Sequence, residues 1–84
     1  MTPLENAIQT ILMNQWDPIG VRGVAQVQDE YDDYVGPLAA LVRNGATSDR
    51  IAGDLLAFEI DRMGLVGEPD RAKHVAAQLH ALKP

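Results

Sequence analysis

The chain is expected to fold as an all-α domain, a compact bundle of four helices, and three observations predict it. Apolar residues recur at three-four spacing in four separate stretches. Each stretch is bounded by capping residues, prolines or glycines placed where helices start and stop. No segment competes as a β-strand. With 84 residues, the expectation is a single small domain, 1–84, whose core gives only a modest margin.

Helix 1 opens at Thr2-Pro3-Leu4-Glu5, the pattern of a capping box with proline at the first helical position. Leu4, Ala7, Ile8, Ile11, Leu12 and Gln15 or Trp16 make its buried stripe. Asp17 ends it, because a residue before proline avoids helical dihedrals. Residues 17–28 carry no convincing period and read as a long loop, which in so small a domain is often functional or tightly packed. Helix 2 should begin near Asp29, where Asp29, Glu30, Asp32 and Asp33 suit the positive end of the helix dipole. Tyr31, Tyr34, Val35, Leu38, Leu41 and Val42 form its stripe, and Asn44-Gly45 stops it. Pro37 removes one backbone bond; because the stripe continues past it, a kink is favoured over a division into two helices.

Thr47 or Ser48 can cap helix 3. Its apolar face is broad, combining Ile51, Leu55 and Phe58 with Ala52, Leu56, Ile60 and Met63, and so should touch more than one neighbour. Gly64-Leu65 resembles a Schellman stop. Helix 4 opens at Glu68-Pro69-Asp70, buries Ala72, Val75, Ala76, Leu79 and Leu82, and places His80 and Lys83 where positive charge is favourable.

Composition, at 46% apolar and 23% charged, is that of an ordinary globular chain. There is no cysteine, hence no disulfide framework, thiolate metal site or thiol nucleophile, and the location expected is the cytoplasm. No signal peptide is expected from MTPLENAIQT, and no segment approaches the roughly 18 apolar residues of a membrane span. The net charge of −5 belongs entirely to residues 1–42, where Arg22 is the one base; residues 43–84 balance. That distribution disfavours nucleic acid and favours a basic partner.

Two words concentrate the chemistry: 16-WDPIGV-21 and 29-DEYDDY-34. The commonplace reading of the first is a corner. Trp16 lies across the end of the core, the Asp17 carboxylate accepts the amide two residues on, Ile19 plugs back into the core, and Gly20 takes a positive φ. The sharper reading makes Trp16, Tyr31 and Tyr34 the walls of a small pocket with Asp17 at its mouth. The spacing leaves both open. The acids lack the alternation and closing glutamate of a calcium loop, so no metal is expected. Catalysis and a cofactor are not expected either. His74 and His80 sit about 600° apart around helix 4, phosphate loops and nucleophile elbows are absent, and no carboxylate shows a sign of burial.

The words WDPIGV and DEYDDY, with the later Met63-Gly64-Leu65, resemble small uncharacterised bacterial helical proteins of the YugE-like family over roughly residues 4–66. The resemblance implies a helical fold and a bacterial origin, and transfers no catalytic or binding residue. The function expected first is a non-enzymatic protein-interaction module. Its surface would be Trp16, Asp17, Asp29, Glu30, Tyr31, Asp32, Asp33 and Tyr34, facing a basic partner such as a toxin to be neutralised. The alternatives are a small-ligand or cation site near Trp16, Asp17, Tyr31 and Tyr34, and self-association through helix 3, so that monomer and homodimer both remain open.

Overall fold

The computed structural model of the chain describes residues 1–20, 23 and 31–82; Asp29, where helix 2 is expected to begin, and most of the 17–28 loop lie outside them. Among the described residues there are four α-helices and no strand: α1 (Pro3–Ile11), α2 (Asp32–Arg43), α3 (Ser48–Ala57) and α4 (Pro69–His80). α1 packs on α2 and α3 on α4, and α4 also meets α1, which closes the bundle. One contiguous cluster of buried side chains, including Ile8, Leu12, Leu38, Ile51, Leu55, Val75 and Leu79, joins all four.

The capping box of α1 is complete. The Glu5 amide donates to Thr2 Oγ1 at 3.2 Å and the Thr2 amide to Glu5 Oε1 at 2.9 Å. Hydrogen bonds to the carboxylate from the Thr2 backbone amide and, next, its hydroxyl hold the Glu5 carboxyl below its ordinary range. A depressed carboxyl stabilises above its unfolded value and loses that contribution as pH falls through its folded one. Thermal melts should therefore show wild type above Glu5→Gln at neutral pH, with the gap closing in acid. A gap independent of pH would assign the effect to shape alone.

Both α1 and α3 end in a wider, π-type turn. Leu12–Trp16 continues α1, with the Asp17 amide donating to the Leu12 carbonyl at 2.8 Å. Phe58–Arg62 continues α3, with the Met63 amide reaching Phe58 at 3.0 Å. Such turns, one residue longer than α-helical spacing, commonly accompany functional sites. The first keeps Leu12, Met13 and Trp16 buried together. It is stopped by Asp17 in the left-handed region (φ 31°), which aspartate tolerates better than most residues.

α2 starts with Tyr31 as its N-cap and runs unbroken to Arg43 through the exposed Pro37, one element as the continuous stripe suggested. It ends on a Schellman pair, Gly45 to Val42 and Ala46 to Leu41. Thr47 caps α3, its hydroxyl accepting from the Arg50 amide at 3.1 Å. After the second π turn, Gly64 (φ 69°) reverses the chain, and the Leu65 amide bonds the Glu59 carbonyl at 2.9 Å. This is the expected Schellman-like stop, reaching one residue further back because the turn is wider.

Two apolar assignments are corrected. Ile60, placed in the α3 stripe by spacing, is 48% exposed, since the π turn rotates it outward. Ile19, expected to plug the core, is 40% exposed, because the left-handed Asp17 carries the chain away from it.

Candidate functional site

Trp16 leaves the last turn of α1 across the bundle end and meets Tyr31 and Tyr34 from α2. Its ring centroid lies 5.3 Å from Tyr31 and 5.9 Å from Tyr34, the latter edge-on, while Tyr34 stacks on Phe58 at 4.6 Å. The aromatic residues of the two sequence words are thus brought together, as tilted and edge-to-face pairs that add to their burial. Trp16 and Tyr31 are each 1% exposed. They are packed against one another as core, not spread as pocket walls, and Tyr34 alone of the three is half-exposed.

The corner itself holds a surprise of connection. The Ile19 amide, two residues beyond Asp17, donates to the Tyr31 hydroxyl at 3.3 Å, and that hydroxyl donates to Asp17 Oδ1 at 2.7 Å. The expected carboxylate-to-amide cap therefore has a tyrosine inserted into it, so that α2 grips the exit of α1. Tyr31→Phe should cost about 1.5–3 kcal/mol, the range for a hydrogen bond to a charged group. Urea titration of both proteins measures it, and equal midpoints would show the bond to be dispensable.

Of the acidic residues, Asp33 is exposed at the start of α2, while Asp32 is half-buried and accepts from Gln9 Nε2 at 2.9 Å. Asp32 thus ties α1 to α2 as well as charging the rim. Asp29 and Glu30 lie outside the described residues. Among the described residues no group of three His, Asp or Glu stands close enough to hold a metal ion, and no helix is long and apolar enough to cross a membrane.

The sequence reading passed over Glu59. It is fully buried, in correction of the expectation that no carboxylate would be. Glu59 Oε2 accepts the Trp16 indole N–H at 3.2 Å and Oε1 accepts from Arg71 Nη2 at 2.8 Å, while Arg71 Nη1 lies 3.1 Å from Glu68 Oε2. An unpaired buried carboxylate would be costly; this one has a cation and a second, neutral donor. A signal did exist. Glu59 lies four residues after Leu55 and seven after Ala52, squarely on the buried face of α3.

Beside this ion triad opens a cleft of about 280 Å³. Glu59 and Arg71 line it together with Pro18 from the corner and the segment 65–68. The corner and the ion triad therefore form one unit, with Trp16 inside and the cleft outside.

Comparison with known proteins returns no matching family model, curated protein or solved structure. The likeness to the YugE-like family is a proposal that rests on the quoted residues of this chain.

Proposed function

We propose that this chain is a bacterial, cytoplasmic, non-enzymatic interaction module that takes a basic protein partner on its acidic face. The observation that carries the reading is the placement of charge. The whole net charge of −5 resides in residues 1–42, and where α1 exits and α2 begins the exposed Asp33 stands with the half-buried Asp17 and Asp32. An acidic surface of this kind accelerates encounter with a cationic partner and sets its orientation. Neutralising a basic toxin is one such role. With Trp16 and Tyr31 in the core, their part is to hold the acids in place from below, and Tyr34 is the aromatic residue left to touch a partner.

The test is capture from a lysate with two baits: wild type, and a variant with Asp29, Glu30, Asp32 and Asp33 replaced by alanine and its helicity checked by circular dichroism. The reading expects a basic protein on the wild-type bait alone, released as salt is raised. Equal capture by both baits, or binding indifferent to salt, would overturn it.

A further inference from the structure

Four large hydrophobic residues are exposed on the described surface: Met1, Ile19, Ile60 and Val66. Single exposed apolar residues are ordinary, whereas grouped ones mark contact sites. One of the four lines the cleft and two adjoin residues that do. Val66, 97% exposed, lines it. Ile19 follows Pro18, another lining residue, in the chain. Ile60 lies against Gly67, where an added Cβ would stand 3.2 Å from the isoleucine side chain. Gly67 (φ 93°) is in the left-handed region, as is Gly64. Between them these glycines hold Leu65 half-buried and Val66 outward.

The polar floor complements that rim. Two carboxylates, Glu59 and Glu68, face one guanidinium, so the triad carries one surplus negative charge. The Glu68 side chain is 65% exposed and open to a further cation. Arg71 Nε is sealed from solvent and has no acceptor among the described residues. A buried donor of this kind calls for a carbonyl or a water.

We propose that this cleft receives a lysine or arginine side chain carried on an extended, apolar-flanked segment of a partner protein. The cation pairs with Glu68, and its aliphatic stem lies along Val66. The apolar residues flanking that cation reach Ile60 and Ile19, beyond the cleft itself, so the occupant is a peptide segment and not a compact metabolite. The proposal rests on the reading of a basic protein partner, and adds an anchor for that partner beyond the acids at the start of α2.

The experiment follows amide, Trp16 Nε1–H and Arg71 Nε–H resonances of the labelled full chain by NMR. Two probes are added to the order of 10 mM, a range suited to weak peptide contacts: acetyl-Leu-Arg-Val-amide and its uncharged counterpart acetyl-Leu-Gln-Val-amide. The expected result is that the arginine peptide shifts Val66, Gly67, Arg71 Nε and Trp16 Nε1, and that the glutamine peptide does so much less. Glu68→Gln should weaken the response up to about fivefold, the ceiling for an exposed ion pair. Val66→Ser should weaken it as well, while Asp33→Asn leaves it intact. Equal responses to both peptides, or a silent cleft, overturn the proposal. Shifts confined to the Asp32–Asp33 region and lost in Asp33→Asn would overturn the cleft while supporting the acidic face. Silence at both surfaces counts against both readings.

Discussion

Glu59→Ala is expected to lose about 3–5 kcal/mol of folding free energy, the cost of breaking a buried ion pair by removing one member. A domain of this length has a total margin of about 4–13 kcal/mol, so the variant should be near or past its unfolding threshold. The loss has two sources. The Trp16 indole N–H, inside a residue 1% exposed, is left without its acceptor, and Arg71 loses its shortest bond. Arg71 itself is 27% exposed and can turn to water, which puts the loss at the lower end of that range. Glu59→Gln retains an acceptor of the same shape and should fall between wild type and alanine. Urea unfolding followed by circular dichroism ranks the three. A loss under about 1 kcal/mol for alanine, the level of a surface pair, would mean that Glu59 does not sit in a dry site. Replacing Glu59 and Arg71 together by leucine should recover part of the loss, since two apolar side chains can replace a buried pair at little cost.

Trp16→Ala should be comparably damaging, about 3–5 kcal/mol, through the cavity left where the largest side chain of the chain meets Tyr31 and Tyr34. Trp16→Phe separates volume from polarity. It fills most of the space but withdraws the indole N–H from Glu59, so a residual deficit of about 1–2 kcal/mol is expected for the unsatisfied carboxylate oxygen. If phenylalanine matched wild type, the Trp16–Glu59 bond would carry no net stability. If it matched alanine, the bond and not the packing would dominate. The second result would also predict that the Glu59 and Trp16 losses are strongly non-additive in a double variant.

These two residues show how far each kind of information reaches. Trp16 was legible as core from its place in the stripe after Leu4, Ile8 and Leu12, and the structure buries it there. Glu59 was passed over, although spacing placed it on the same face as Ala52 and Leu55, because its charge argued for solvent. Burial of a charge depends on its partners, and those partners are Trp16, 43 residues away, and Arg71, 12 residues away. Asp17 shows the same division at short range. Its role as terminator follows from the proline beside it, whereas the carboxylate's acceptance of a hydroxyl from Tyr31, 14 residues on, does not.

What the sequence by itself determined was the helical class and most element ends: Thr2, Thr47, Pro69, the Asn44-Gly45 stop and Gly64. Caps and stops act through bonds spanning three to six residues, so they are written locally. The tertiary structure alone decided which polar groups are enclosed and which apolar ones are left out. Ile19, Ile60 and Val66 face solvent, and Glu59 faces none, because two π-type turns and two left-handed glycines aim the chain ends of α1 and α3 toward one another. Solvent exposure is a property of the assembled bundle, set by what packs against a residue from elsewhere in the chain.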